Sequence, residues 1–182
     1  MDERKWIERI LAGDTQIFSC LVAKYEKMAY TIALRILENR EEAEEAVQDA
    51  FVKMYRALSD FHFDSKFSTW FYRIVYRTAL TALRQQRMFV SYEEAGPVDL
   101  SNDEVESATA LLEREDRKEM IARTLKKLPA DEALLLTLYY LEECSVEEIC
   151  QITELSASNV KVKLFRGRKR FYEVLQDKMK LE

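Results

Sequence analysis

One histidine, two prolines, three glycines and three cysteines are all that this 182-residue chain has of the residues that build metal sites, turns and disulfide frameworks. A single imidazole, His62, excludes any site that needs two. Cys20, Cys144 and Cys150 are too few and too unevenly spaced for zinc, and an odd thiol count suits a reducing cytosol. So little Gly and Pro cannot punctuate the turns of a β-sandwich or a doubly wound sheet. No apolar run approaches the roughly 18 residues of a membrane span, and Met1-Asp2-Glu3-Arg4-Lys5 does not open a signal peptide. What is abundant is Glu, Lys, Arg, Leu and Ala, within a 48% hydrophobic composition. That mixture predicts an all-α protein in the cytoplasm, with no metal, no cofactor and no membrane insertion.

The net charge of −5 speaks against a nucleic-acid partner until it is mapped. Residues 66–88 hold five bases (Lys66, Arg73, Arg77, Arg84, Arg87) and no acid. Residues 156–180 hold eight bases against Glu173 and Asp177. Between them, residues 91–119 hold ten acids and three bases. Two basic stretches flank an acidic one, and distribution outweighs the sum.

Apolar spacing divides the chain into two helical domains, 1–88 and 109–182, joined by an acidic linker at 89–108. Ile7, Ile10 and Leu11 form a short amphipathic start. Ile17, Leu21, Tyr25, Met28, Ile32, Ile36 and Leu37 follow at helical spacing. Asn39 predicts an N-cap with Glu41 and Glu42 in the first turn, opening a helix whose apolar face is Ala43, Ala46, Val47, Ala50, Phe51, Met54 and Leu58. Residues 59–68 read as a loop. Ser68 or Thr69 then caps a helix through Arg87 with a buried stripe of Trp70, Phe71, Ile74, Val75, Thr78, Ala82 and Leu83. The linker has few apolar residues and carries Gly96 and Pro97. Beyond it, Leu111, Leu112, Met120, Ile121 and Leu125 resume the helical period, and Pro129 interrupts before an apolar helix at 130–141.

The C-terminal domain ends in a helix-turn-helix. Ser145 with Glu148 is a capping-box pattern, opening a helix of about two turns whose inward face is Val146, Ile149 and Cys150. Ser156 caps a longer helix with Val160, Leu164, Gly167 and Phe171 facing inward. Gly167 on that stripe allows close helix contact. Ser158, Asn159, Lys161, Val162, Lys163 and Arg166 face outward. A short helix, a tight turn and a basic longer helix suit docking in the major groove, with its early residues at base edges and its cations on phosphates.

The N-terminal domain interleaves Phe61, Phe63, Phe67, Trp70, Phe71, Tyr72 and Tyr76 with Lys66, Arg73 and Arg77. Aromatic rings stack unpaired bases, and cations beside them meet the backbone. Trp70 and Phe71 belong to the core stripe, whereas Tyr72, Arg73, Tyr76 and Arg77 lie off it. On the preceding helix Gln48, Asp49, Val52 and Arg56 face away from the apolar seam, and an outward Val52 points to a protein partner. No nucleophile–base pairing and no Gly-rich phosphate loop supports an enzyme. Cys144 and Cys150 read as core thiols.

Two ordered motifs carry a resemblance. Glu41-Glu42-Ala43-Glu44-Glu45-Ala46-Val47-Gln48-Asp49-Ala50-Phe51, followed by Phe67-Ser68-Thr69-Trp70-Phe71-Tyr72-Arg73-Ile74, resembles the second region of extracytoplasmic-function sigma factors. Leu128-Pro129 with the helix-turn-helix ending Asn159-Val160-Lys161-Val162-Lys163-Leu164-Phe165-Arg166-Gly167-Arg168 resembles their fourth region. The resemblance implies a factor that binds core RNA polymerase and directs it to promoters. It places Gln48, Asp49, Val52 and Arg56 on the clamp helices of the largest polymerase subunit. Phe61, Phe63, Ser65, Lys66, Thr69, Trp70, Tyr72, Arg73, Tyr76 and Arg77 fall on single-stranded −10 DNA, and Ser156, Ala157, Ser158, Asn159, Lys161, Val162, Lys163 and Arg166 on the double-stranded −35 element. The linker then threads the polymerase channel, and an anti-sigma factor holds the protein inactive. Arg77 stands where many relatives carry Asn, Thr81 where Asp is frequent, and Glu154 where the turn often has Gly. The alternative is a stand-alone helix-turn-helix regulator whose N-terminal domain dimerises or binds a ligand.

Overall fold

The computed structural model describes residues 3–90 and 112–179; the acidic stretch assigned to the linker lies almost wholly outside them. The described residues are all helical apart from turns: α1 (Glu3–Leu11), α2 (Phe18–Leu37), α3 (Arg40–Arg56), α4 (Phe67–Val90), α5 (Leu112–Lys126), α6 (Ala130–Tyr140), α7 (Val146–Thr153) and α8 (Ala157–Met179).

The first four helices form one bundle. Ile7, Leu21, Ile32, Met54, Phe71 and Val75 are fully buried at its centre, and α1 closes it, although its Leu11 is exposed. Helix α2 stops at Glu38, which adopts φ 55° and sends its N–H to the Leu34 carbonyl. The Asn39 side chain then accepts from the Glu42 N–H at 3.2 Å, so α3 starts at the expected cap. Lys53 Nζ donates to Thr78 Oγ1 at 3.2 Å, and Gln86 Nε2 to Glu42 Oε1 at 3.0 Å, tying α3 to both halves of α4. Helix α4 begins earlier than its serine and threonine suggest. The Trp70 N–H already bonds the Lys66 carbonyl at 3.1 Å, so Ser68 and Thr69 lie within the first turn and cap nothing. It also runs to Val90, three residues past the expected end at Arg87.

Helices α5–α8 form the second unit around Leu135, Leu138, Ile149, Ile152 and Val160. Pro129 occupies the cap position of α6 at ψ 137°, because a residue without an N–H loses nothing at a helix start. Every residue of α6 from Glu132 to Leu138 is buried. The Glu132 carboxylate survives there because Arg170 Nη1 pairs with it at 3.2 Å. The close approach at Gly167 is real: a Cβ there would meet Leu136 Cδ1 at 3.2 Å and Glu132 Cβ at 3.3 Å.

The two units pack on each other, α7 along α4 and α6 along α2. Among the described residues no helix is long and apolar enough to cross a membrane, and no group of acidic, His or Cys side chains could hold a metal.

Candidate nucleic-acid and polymerase interface

The helix-turn-helix is built as its capping signals dictate. Ser145 Oγ accepts from the Glu148 N–H at 3.1 Å while Glu148 Oε2 accepts from the Ser145 N–H at 2.8 Å, closing both halves of the box. Ile149 is fully buried, Val146 and Cys150 are half-buried, and Ile152 and Thr153 complete the inner face. The turn pivots on Glu154 at φ 62°, a left-handed conformation that glycine adopts more easily. Ser156 Oγ accepts from the Asn159 N–H at 3.3 Å and sits 3.1 Å from Ser158 Oγ, capping α8.

On α8 the inward face is Val160, Leu164, Gly167 and the half-buried Phe171. Ser156, Ala157, Ser158, Asn159, Lys161, Val162 and Arg166 are all exposed. Lys163 departs from the outward set, since it is half-buried and its ammonium pairs with Asp131 on α6. That ammonium holds the Asp131 carboxyl below its usual range, against the opposing effect of burial. Phe165, at 65% exposure, belongs to the same open face one turn from Val162. The periodicity of the sequence left it unassigned.

The aromatic-basic surface is only partly open. Phe61 is buried, with ring centroids 4.8 Å from Phe63 and 5.0 Å from Trp70. Trp70 is half-buried rather than fully in the core. Phe63 is exposed at φ 60°, with the Arg4 guanidinium 5.0 Å from its ring centre. Ser65 is half-buried, Lys66, Arg73 and Arg77 are exposed, and Thr69 is buried.

Tyr72 corrects the helical-wheel reading most sharply. It lies off the apolar stripe yet is only 2% exposed. Its ring packs against Tyr25 and Phe71, and its hydroxyl donates to Glu142 Oε2 at 2.8 Å. Burial, then the Glu142 carboxylate, pushes the phenol well above its ordinary range. Tyr76 is half-buried and is also pushed up, by burial and then by Glu154 and Asp131.

Three acids of the second unit therefore meet this surface. Besides Glu142, Glu148 Oε1 lies 2.9 Å from Lys66 Nζ, and Glu154 Oε1 accepts from Arg77 Nε at 2.8 Å. The two departures at positions 77 and 154 are thus each other's partners. Sequence reasoning places Glu148 in a capping box and Glu154 in the turn, names no role for Glu142, and misses the contact of all three with α4. The available signal was the run Glu142, Glu143, Glu147, Glu148 and Glu154, opposite in sign to residues 66–88.

On α3, Gln48, Asp49, Val52 and Arg56 are exposed, Val52 at 47%. Tyr55 joins them one turn from Val52, its ring edge-on to Phe18 at 5.0 Å. Asp49 is 4.0 Å from Lys53 on the same helix. The geometry is that of two helical units, each presenting an open face for a macromolecule, one of them a helix-turn-helix with basic residues on its second helix.

Comparison with known proteins agrees with that class. Residues 21–88 match Sigma-70 region 2, and residues 118–171 match Sigma-70 region 4. The chain is 32% identical to RNA polymerase sigma-H factor of Pseudomonas aeruginosa over 96% of its own length and 94% of that protein. It is 31% identical to ECF RNA polymerase sigma-E factor of Escherichia coli over 89% and 88%. Among solved structures, the sigma factor RpoE of Bartonella quintana, in complex with the anti-sigma factor NepR, shares the fold at a TM-score of 0.71. That match has 18% identity and covers 87% of this chain and 96% of that one. CnrH, in complex with the cytosolic domain of CnrY, gives 0.62 with 21% identity over 96% and 97%.

The chain belongs to the extracytoplasmic-function sigma factors of RNA polymerase. It initiates transcription through promoter recognition by regions 2 and 4, in partnership with core polymerase, and is not an enzyme. The match of residues 21–88 to region 2 makes the N-terminal domain that of a sigma factor and not of a stand-alone helix-turn-helix regulator.

Proposed function

We propose that the two units divide promoter recognition as follows. The outward face of α3 (Gln48, Asp49, Val52, Arg56) docks on the clamp helices of the largest polymerase subunit. The 61–66 loop and the open side of α4 capture unpaired bases of the −10 element. The Ser156–Arg166 face of α8 reads the −35 element as duplex. Opening DNA loses roughly 1.4 kcal/mol of stacking per base-pair step, and aromatic capture of a flipped base offsets it. An anti-sigma factor that holds the protein inactive in the cytoplasm belongs to the same reading, supported by the NepR complex of the RpoE relative.

The observation that carries this reading is the division of α8. Val160, Leu164 and Gly167 fasten one side to the unit, while Ser158, Asn159, Lys161, Val162 and Arg166 are exposed on the other. Promoter selection with reconstituted polymerase tests it. Asn159→Ala and Lys161→Ala should lower run-off transcription from the selected promoters by weakening the −35 contact, at about 1–3 kcal/mol for a lost base contact. Unchanged transcription from every selected promoter would remove α8 from the −35 element.

A further inference from the structure

We propose that the cleft between α2, α4 and α6 is a binding site for a medium-chain fatty acid, with Arg35 as the partner of its carboxylate. The cleft measures about 480 Å³. Small-ligand sites run from roughly 300 to 1,000 Å³ and concentrate at boundaries between domains. Of the lining residues only Tyr76 is shared with the −10 assignment, and the inference does not depend on that assignment.

Arg35 is the group that calls for a ligand. Its side chain is half-buried in the wall of the cleft, and burial presses its pKa below the ordinary arginine value. Among the described residues no carboxylate pairs with it; Nη1 donates to the Leu125 carbonyl at 3.4 Å. A guanidinium drawn out of water in this way lacks a counter-ion. The two acids on the cleft do not supply one. Asp131 is held by Lys163 and by the Glu132 N–H at 2.9 Å, and Glu38 is exposed at the left-handed end of α2.

These acids and the rest of the wall set the ligand's chemistry. Two carboxylates at the rim repel a second negative charge, which disfavours nucleotides and other polyanions. A single carboxylate matches the guanidinium fork, which binds such a group bidentately. Tyr76 adds a neutral donor: burial raises its pKa, and no described residue accepts from its hydroxyl. Beyond this polar end the wall is apolar. Ile36 from α2, Leu80 and Leu83 from α4 and Leu134 from α6 line it, and the first three keep side-chain surface open to the cleft. One charge joined to an apolar tail is what this lining takes.

Titration calorimetry of the full chain with decanoate, octanoate, decanol and decylamine tests the site. Decanoate should bind once per chain, with a Kd below ~1 mM. Octanoate should bind roughly tenfold more weakly, since each buried methylene changes affinity by about fourfold. Decanol and decylamine lack the carboxylate and should lose at least about tenfold. Arg35→Gln removes the charge partner together with an unpaired cation, so circular dichroism should be unchanged. Its decanoate affinity should fall about tenfold or more, and Arg35→Lys should recover part of that loss. Leu80→Ala leaves Arg35 in place and shortens the apolar wall, and should cost decanoate about fivefold. In wild type the methyl resonances of Leu80, Leu83 and Leu134 should shift on titration. No saturable decanoate binding, equal affinity in Arg35→Gln, or equal binding of decanol would overturn the site. So would methyl shifts confined to other faces of the protein.

Discussion

Tyr72 on α4 and Glu142 in the turn after α6 are joined by a 2.8 Å hydrogen bond that links the two promoter-recognition units of this sigma factor. The phenol is buried, so its hydroxyl needs a partner, and the partner is charged. Tyr72→Phe keeps the ring packing and removes the bond, leaving Glu142 to find water. Urea unfolding of this variant should show a loss of about 1.5–3 kcal/mol, the range for a hydrogen bond to a charged group.

The same residue sets an alkaline limit. Burial and then a neighbouring carboxylate raise the pKa values of Tyr72, through Glu142, and of Tyr25, through Glu3. A phenol whose folded pKa lies above its unfolded value of about 10 contributes stability below that pH and withdraws it above. Stability should therefore hold to about pH 10 and then fall. Tyrosinate absorbance should show two phenols that ionise only as the fold is lost. Tyr72→Phe should shallow the decline.

At Glu154 two local effects oppose each other. A non-glycine residue in the left-handed conformation costs about 1–2 kcal/mol, while the exposed pair with Arg77 returns ~0–1 kcal/mol. Glu154→Gly should therefore raise the urea midpoint by a net gain of about 0.5–1 kcal/mol. It should also weaken contact between the units, read as faster hydrogen exchange along the facing sides of α4 and α7.

Gly167 lies where α8 crosses α6, and a methyl group there would stand 3.2–3.3 Å from Leu136 and Glu132. Helix propensity favours alanine by about 1 kcal/mol. Crowding against a buried leucine and the Cβ of a buried glutamate costs ~1–3 kcal/mol. Crowding wins. Gly167→Ala should lose about 1 kcal/mol in urea unfolding, and Gly167→Val more, with Glu132–Arg170 displaced.

Local signals in the sequence sufficed for the Asn39 cap, the Ser145–Glu148 box, the Ser156 cap and the Gly167 crossing, because each depends on residues a few positions apart or on one helical stripe. The start of α4 was misplaced because its first bond comes from the Lys66 backbone, which no side-chain signal announces. Tyr72, Lys163 and Thr69 are buried or half-buried although a helical wheel leaves them open, because a wheel measures burial on one helix alone. Tyr72 meets a residue of the other unit 70 positions away, and Lys163 meets one on another helix of its own unit, 32 positions away. Burial contributed by a distant helix has no period in the sequence of the first. Charge complementarity between residues 66–88 and 142–154 was the one readable trace of it.

Polymerase docking through α3 makes a separate claim, testable without DNA. Asp49 and Val52 are exposed one turn apart, and α3 is anchored from behind by Ala46, Ala50, Phe51 and Met54. Asp49→Arg changes the charge of the open face and leaves the packed face untouched, so circular dichroism should be unchanged. Opposite charge at a docking rim governs encounter rate, and a partly buried charge governs dissociation. Replacing Asp49 by a cation should therefore lower core-polymerase affinity by at least about tenfold, or ~1.4 kcal/mol, measured by competition against a labelled sigma factor. Val52→Ala removes apolar area alone and should cost less. Unaltered affinity in Asp49→Arg, with helix content preserved, would move the clamp contact off this face of α3.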